Sequence, residues 1–117
     1  MVSYTQHVGG ETATIALSAA LSNAVYIAGN RLVAIEMPSA WTAAKLTFQA
    51  SWDGTTFTEV LIGATALELT VAASQTIMLD VLFTGALYVK VRSGTAASPV
   101  NQAAARDVRL IVAPAGL

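Results

Sequence analysis

Apolar and polar residues alternate along residues 46–52. Leu46, Phe48, Ala50 and Trp52 fall on one side of an extended chain, with Lys45, Thr47, Gln49 and Ser51 on the other. Asp53-Gly54 interrupts the run, and Thr55-Thr56-Phe57-Thr58-Glu59-Val60 resumes it. Asp-Gly between two such runs predicts a hairpin closed by a type I′ turn, which needs φ > 0 at both central residues. The same period recurs along the chain. In 31–37, Val33, Ile35 and Met37 share one face and Leu32, Ala34 and Glu36 the other, and Pro38 ends the strand for want of a ladder donor. In 66–71, Leu67, Leu69 and Val71 share a face. In 75–81, Ile77, Leu79 and Val81 point inward and Asp80 outward. In 86–92, Leu87, Val89 and Val91 face in, while Tyr88, Lys90 and Arg92 face out. A closing strand spans 106–113 before Pro114, and shorter strands are predicted over 11–17 and 24–28, the latter ending in a Gly29-Asn30 turn. Residues 18–23 read as a Ser- and Ala-rich turn, with a helix through Leu17, Leu21 and Val25 as the alternative.

A sheet with one apolar face must bury it against a second layer. About eight short strands with turn signals every 8–12 residues predict an all-β fold, an antiparallel β-sandwich of jelly-roll type. Residues 1–10 lack periodicity and read as an extended N-terminal arm, leaving 11–117 as a single domain. Trp41, in the corner after Pro38, is placed to plug the open end of the core. The alternative is that it stacks on a sugar ring. Residues 93–105 form a connection near the length at which a loop usually has a function.

Composition narrows the function classes. No cysteine is present, which removes disulfides, thiolate metal sites and cysteine nucleophiles. Charged residues make up 11% of the chain, less than half the usual share of about 25%. Such a surface points to membrane insertion, aggregation or cover by neighbouring subunits. The longest uncharged run, 12–30, is Ala-, Ser- and Thr-rich with no basic N-terminal flank, and Glu11 interrupts any leader-like apolar segment. Neither a membrane span nor export is expected, and synthesis in the cytoplasm is. A net charge of −1 argues against a nucleic-acid partner. The signs are nonetheless segregated. Glu36, Asp53, Glu59, Glu68 and Asp80 lie mid-chain, and Lys90, Arg92, Arg106 and Arg109 near the end. The two groups either pair across strands or join an acidic patch on one subunit to a basic patch on the next.

No chemical constellation emerges. His7, the single histidine, lies in the arm, where no rigid base is held for a catalytic triad. The scattered carboxylates make neither a zinc nor a calcium site, and Asp53 is explained by its turn. Glu36, Glu59, Glu68 and Asp80 read as solvent-face residues and not as a glycosidase pair. The expectation is a non-enzyme with no catalytic, cofactor-binding or metal-binding residue.

The segment Ile35-Glu36-Met37-Pro38-Ser39-Ala40-Trp41-Thr42-Ala43-Ala44, followed by Leu46-Thr47-Phe48-Gln49, Ser51, Asp53-Gly54 and Phe57, resembles small proteins encoded in the structural modules of tailed bacteriophages and prophages. Leu79-Asp80, Tyr88-Val89-Lys90-Val91-Arg92-Ser93-Gly94 and Val100-Asn101-Gln102 continue the resemblance. It implies a virion structural protein on the phage head: a capsid decoration (cement) protein bridging major capsid proteins and associating with itself as a homodimer or homotrimer. The contact residues expected are Val2, Tyr4 and His7 in the arm, with Lys90, Arg92, Pro99, Val100, Asn101 and Arg106. A tail or neck structural protein is the neighbouring reading. The rival from another class is a carbohydrate-binding sandwich of a phage tail or head fibre, with Trp41, Trp52 or Tyr88 as stacking platforms. The Ser-x-Asp-Gly-x-x-Phe hairpin also looks like that of discoidin-type and carbohydrate-binding sandwiches, which usually carry Trp at the position of Phe57.

Overall fold

The structure is a computed structural model and describes residues 9–83 and 86–114. Ten strands run through these residues: β1 (Gly9–Ile15), β2 (Val25–Tyr26), β3 (Arg31–Glu36), β4 (Leu46–Ser51), β5 (Thr58–Glu59), β6 (Leu61–Ile62), β7 (Thr65–Ala66), β8 (Thr76–Phe83), β9 (Tyr88–Ser93) and β10 (Arg106–Ala113). One sheet has the order β1-β10-β3-β8 and the other β2-β9-β4-β5, while β6 and β7 form a separate ribbon. All pairings are antiparallel. With the ribbon set aside, successive strands change sheet at every step except β4 to β5. The protein is an all-β sandwich with jelly-roll wrapping.

The inward positions of the pleat make one core. Leu46, Phe48, Val89, Val91, Val25 and Ile27 from the second sheet meet Ala13, Leu32, Ile35, Val108, Leu110 and Val112 from the first. β10 shows the physical rule most plainly: Val108, Leu110 and Val112 are buried, while Asp107 and Arg109 at the alternate positions are exposed. Trp41, Leu69, Val71, Ile77 and Leu79 pack against the edges of this core.

Five local expectations are corrected. Leu32 is buried in the core, because the ladder skips Val33. Val112 pairs with Leu32 and Ile111 with Ala34, so Val33 is the bulged residue and parity changes across it. Asp53-Gly54 is not a two-residue turn. β4 pairs with β5 through Gln49↔Glu59 and Ala50↔Thr58, which leaves a loop of residues 52–57. Gly54 alone in that loop has positive φ, at 78°. The turn with positive φ at both central residues is Ala28 (55°) and Gly29 (76°), closed by Asn30 N–H donating to Ile27 O at 2.9 Å, where the chain crosses from β2 to β3. Trp52 does not continue the apolar face of β4 into the core and is 62% exposed. The strand expected over 66–71 is instead the short β7 followed by a single bridge, Leu46↔Leu69. Residues 18–23 follow the non-helical reading preferred for them and not the alternative helix: Leu21 bridges Arg92, and Ser22 exchanges hydrogen bonds with the Val91 backbone. Gly9 and Gly10, counted with the arm, belong to β1, and the rest of the arm lies outside the described residues.

The long connection after β9 is ordered by its own polar groups. Gly94 N–H donates to Lys45 O at 2.7 Å with φ at 90°, and Val100 N–H returns to Ser93 O. A Cβ on Gly94 would lie 2.4 Å from Ser98 O and 2.8 Å from Val100 N, both backbone atoms. Gly63 has a similar positive φ, 63°, with nothing near its Cβ position. Gly63→Ala should therefore cost about 1 kcal/mol, the left-handed strain alone, and Gly94→Ala more than about 3 kcal/mol. Urea denaturation of the two variants measures the difference, and equal losses would contradict the steric account.

Candidate functional site

A surface that binds something must have groups left over after the fold has used its own. The outward face of the second sheet has few. On β4 and β9, Thr47 stands opposite Arg92, Gln49 opposite Lys90 and Ser51 opposite Tyr88. Arg92 is 7% exposed and fully engaged. Its Nε donates to Thr47 Oγ1 at 3.0 Å, and its two terminal nitrogens grip both oxygens of Glu59 as a fork. Gln49 Nε2 also donates to Glu59 Oε2, and Thr47 Oγ1 donates to Gly94 O. The Arg92 hydrogen bonds hold the Glu59 carboxyl below its ordinary pKa, against an opposing effect of burial. Lys90 lies over the Phe57 ring, 4.4 Å from its centre, and Tyr88 leans on Tyr26 with ring centres 5.1 Å apart at 57°. Cross-strand pairing thus joins one mid-chain acid to one late base. The Lys45–Glu68 pair is exposed, at 3.2 Å, and contributes little.

Arg106 is committed as well. Its Nε donates to Oε1 of Gln102, a side chain only 1% exposed. The same oxygen accepts Thr42 N–H at 2.8 Å, and Gln102 Nε2 donates to Thr42 O and Ser93 Oγ. The Gln102 backbone bonds Ser18 N–H and Ala19 O. One residue, through its amide and its backbone, therefore ties three crossing loops together. Sequence reading passed over it, and a polar residue amid the small residues of 96–105 was the available signal. Of the remaining expected contact residues, Pro99 and Asn101 are exposed and Val100 half-buried, while Val2, Tyr4 and His7 lie outside the described residues.

Of the three expected stacking aromatics, Trp41 packs on the core and donates its indole N–H to Ala44 O at 3.1 Å. Tyr88 is half-buried, with its ring under Gly54. Trp52 stands open to solvent.

The outward face of the first sheet is different. Register places Gly10, Ile111, Ala34 and Met78 side by side across all four strands. Met78 is 71% exposed, Ala34 is buried, and Gly10 lacks a side chain, so that the Arg109 guanidinium lies across it. The next row is Thr12, Arg109, Glu36 and Thr76, with Glu36 and Arg109 opposite each other. The result is a small apolar patch of Ile111 and Met78 flanking the buried Ala34, bounded at Gly10 by the Arg109 guanidinium and beside it by a balanced polar row. Among the described residues no group of three or more His, Asp or Glu stands close enough to hold a metal ion, and no helix is long and apolar enough to cross a membrane.

No family model matches the chain, and no curated protein or solved structure matches it either.

Two substitutions test the polar framework. Gln102→Leu strands Thr42, Ser93 and Arg106 groups in a buried place, at about 1–3 kcal/mol for each group left unpaired, so the loss in a denaturant titration should exceed about 2 kcal/mol. For Glu59, a folded-state pKa below the unfolded one means its stabilisation is present at neutral pH and lost as pH falls below roughly 4.3 and on through the folded value. Asp53 acts in the same direction, because Thr56 and Thr55 N–H groups and the Ser51 hydroxyl hold its carboxylate ionised. Glu59→Gln should be less stable at pH 7 and should lose less stability on acidification to pH ~3. Identical acid slopes for the two proteins would show that the fork carries no pH dependence.

Proposed function

We propose that the protein is a structural component of a tailed-phage or prophage particle, a decoration (cement) protein that docks on the outside of the head and bridges major capsid proteins. The observation that carries this reading is the row of Gly10, Ile111, Ala34 and Met78 across the first sheet, in which Met78 stands open to solvent beside small neighbours. Small side chains and few charges allow another β-rich surface to approach closely with little desolvation of ions. The resemblance of 35–57 and 79–102 to phage structural-module proteins points the same way.

Geometry also bears on how such docking would work. Four strands spaced ~4.8 Å apart make a strip about 14 Å wide, too little for the roughly 800 Å² per partner of a standard interface. A clamp of this kind works through several modest contacts at once, on two shell subunits or through a dimer or trimer of itself on a local symmetry axis. Rigidity then matters, because a clamp whose loops yield does not oppose separation of the subunits it joins. The Gln102 tie and the Arg92–Glu59 fork supply that rigidity in the crossing loops and the second sheet.

The test uses the full chain and expanded empty heads of the phage or prophage that encodes it. The chain should co-sediment with heads and raise the temperature at which they rupture. Met78→Glu, at an exposed position, should change folding stability by less than about 0.5 kcal/mol and weaken head binding at least tenfold. Absence of binding, binding to tails instead, or unchanged binding by Met78→Glu would each overturn the proposal.

A further inference from the structure

Trp52 poses a separate question. A large aromatic side chain at 62% exposure is costly to leave in water, and the loop that presents it is unusually well fixed. Ser51 Oγ accepts the N–H groups of Asp53 (3.2 Å) and Gly54 (2.9 Å) and donates to Asp53 Oδ1 at 2.9 Å. Asp53 Oδ1 in turn accepts Thr55 N–H and Thr56 N–H, each at 2.8 Å. Gly54, at φ 78°, lies against the Tyr88 ring, where a Cβ would come within 3.1 Å. Local hydrogen bonds therefore fix the backbone that presents the exposed indole.

Beside it is an open cavity of about 300 Å³ lined by Ala50, Trp52, Asp53, Thr56 and Thr58. That is the size at which small-molecule sites begin. Its floor is apolar and its rim carries hydroxyls and a carboxylate. The loop engages Asp53 through Oδ1, and the Asp53 side of the cavity is a carboxylate held ionised by those bonds. No lining residue is basic.

We infer that this rim is a saccharide-binding site that takes one neutral pyranose, stacked by its C–H face on Trp52, with ring hydroxyls bonded to Asp53 and to the Thr56 and Thr58 side chains. An amphipathic ring with one apolar face and several donors fits an aromatic shelf bordered by acceptors. An anionic sugar is disfavoured by the carboxylate. The site belongs to the β4–β5 loop of the second sheet, so it stands or falls independently of docking through the first.

The chain has two tryptophans, so Trp41→Phe leaves Trp52 as the sole indole reporter. Methyl glycosides of glucose, galactose, mannose and N-acetylglucosamine are titrated into this variant up to tens of millimolar, the range of weak single-ring binding, with glucuronic acid and a proline-rich peptide alongside. At least one neutral glycoside should shift Trp52 emission to the blue and saturate. Its affinity in the otherwise unchanged protein, measured by NMR titration, should fall more than tenfold in Trp52→Ala and about 3- to 10-fold in Thr58→Val. Circular dichroism checks that both variants keep the strand spectrum, as expected at exposed positions. No saturable shift with any neutral glycoside overturns the inference. So does binding that survives Trp52→Ala, stronger binding of glucuronic acid, or binding of the peptide alone.

Discussion

The seam between the two sheets governs the molecule. Phe48 and Leu110, both fully buried, stand for two inner faces whose residues belong there only because the pleat alternates with a period of two. A one-residue slip in β10 would move Val108, Leu110 and Val112 to solvent and bring Asp107 and Arg109 inside. Burial worth about 25 cal/mol per Å² of apolar surface makes such a slip prohibitive. The alternation fails at Val33, where a bulge lets Leu32 and Ile35 both reach the core.

A jelly roll pays for this seam with crossings, since nearly every connection leaves one sheet for the other. Backbone groups at a crossing have no ladder partner and must find one elsewhere. Gln102 answers that need for three loops, Thr47 for the carbonyl of Gly94, and Ser51 with Asp53 for the loop beyond β4. Among the described residues no buried side-chain nitrogen or oxygen lacks a partner. Few charges are present, and the best-placed of them, Arg92 and Glu59, serve the fold.

This division of labour leaves the two outer faces unequal. The second sheet closes its outer face with its own fork and its own aromatic and cation contacts. The first sheet leaves a small apolar patch and a balanced polar row beside it. A docking role for the first and a small-ligand role for the rim of the second make different demands, one on area and flatness, the other on a fixed aromatic and a few acceptors. Both rest on backbone held by side-chain hydrogen bonds, because neither surface is useful if its loops drift.

Residue order alone determined the all-β class, the inward sets of β4 and β9, and the ends of strands at Pro38 and Pro114, since period-two burial and a missing amide donor are local properties. Arg92 shows the limit of such reading. It was legible as an outward residue of β9, yet its burial depends on Glu59, 33 positions earlier, arriving on the neighbouring side of β4. The Asp53-Gly54 pair was legible as a turn but not as a six-residue loop, because register from Gln49↔Glu59 sets the length and a Ser51–Asp53 network replaces the tight turn. The row of Gly10, Ile111, Ala34 and Met78, and the meeting of Trp52 with Thr56 and Thr58, required strand order and loop shape. Those are decided by which sheets pack together, a long-range matter that no window of the chain contains.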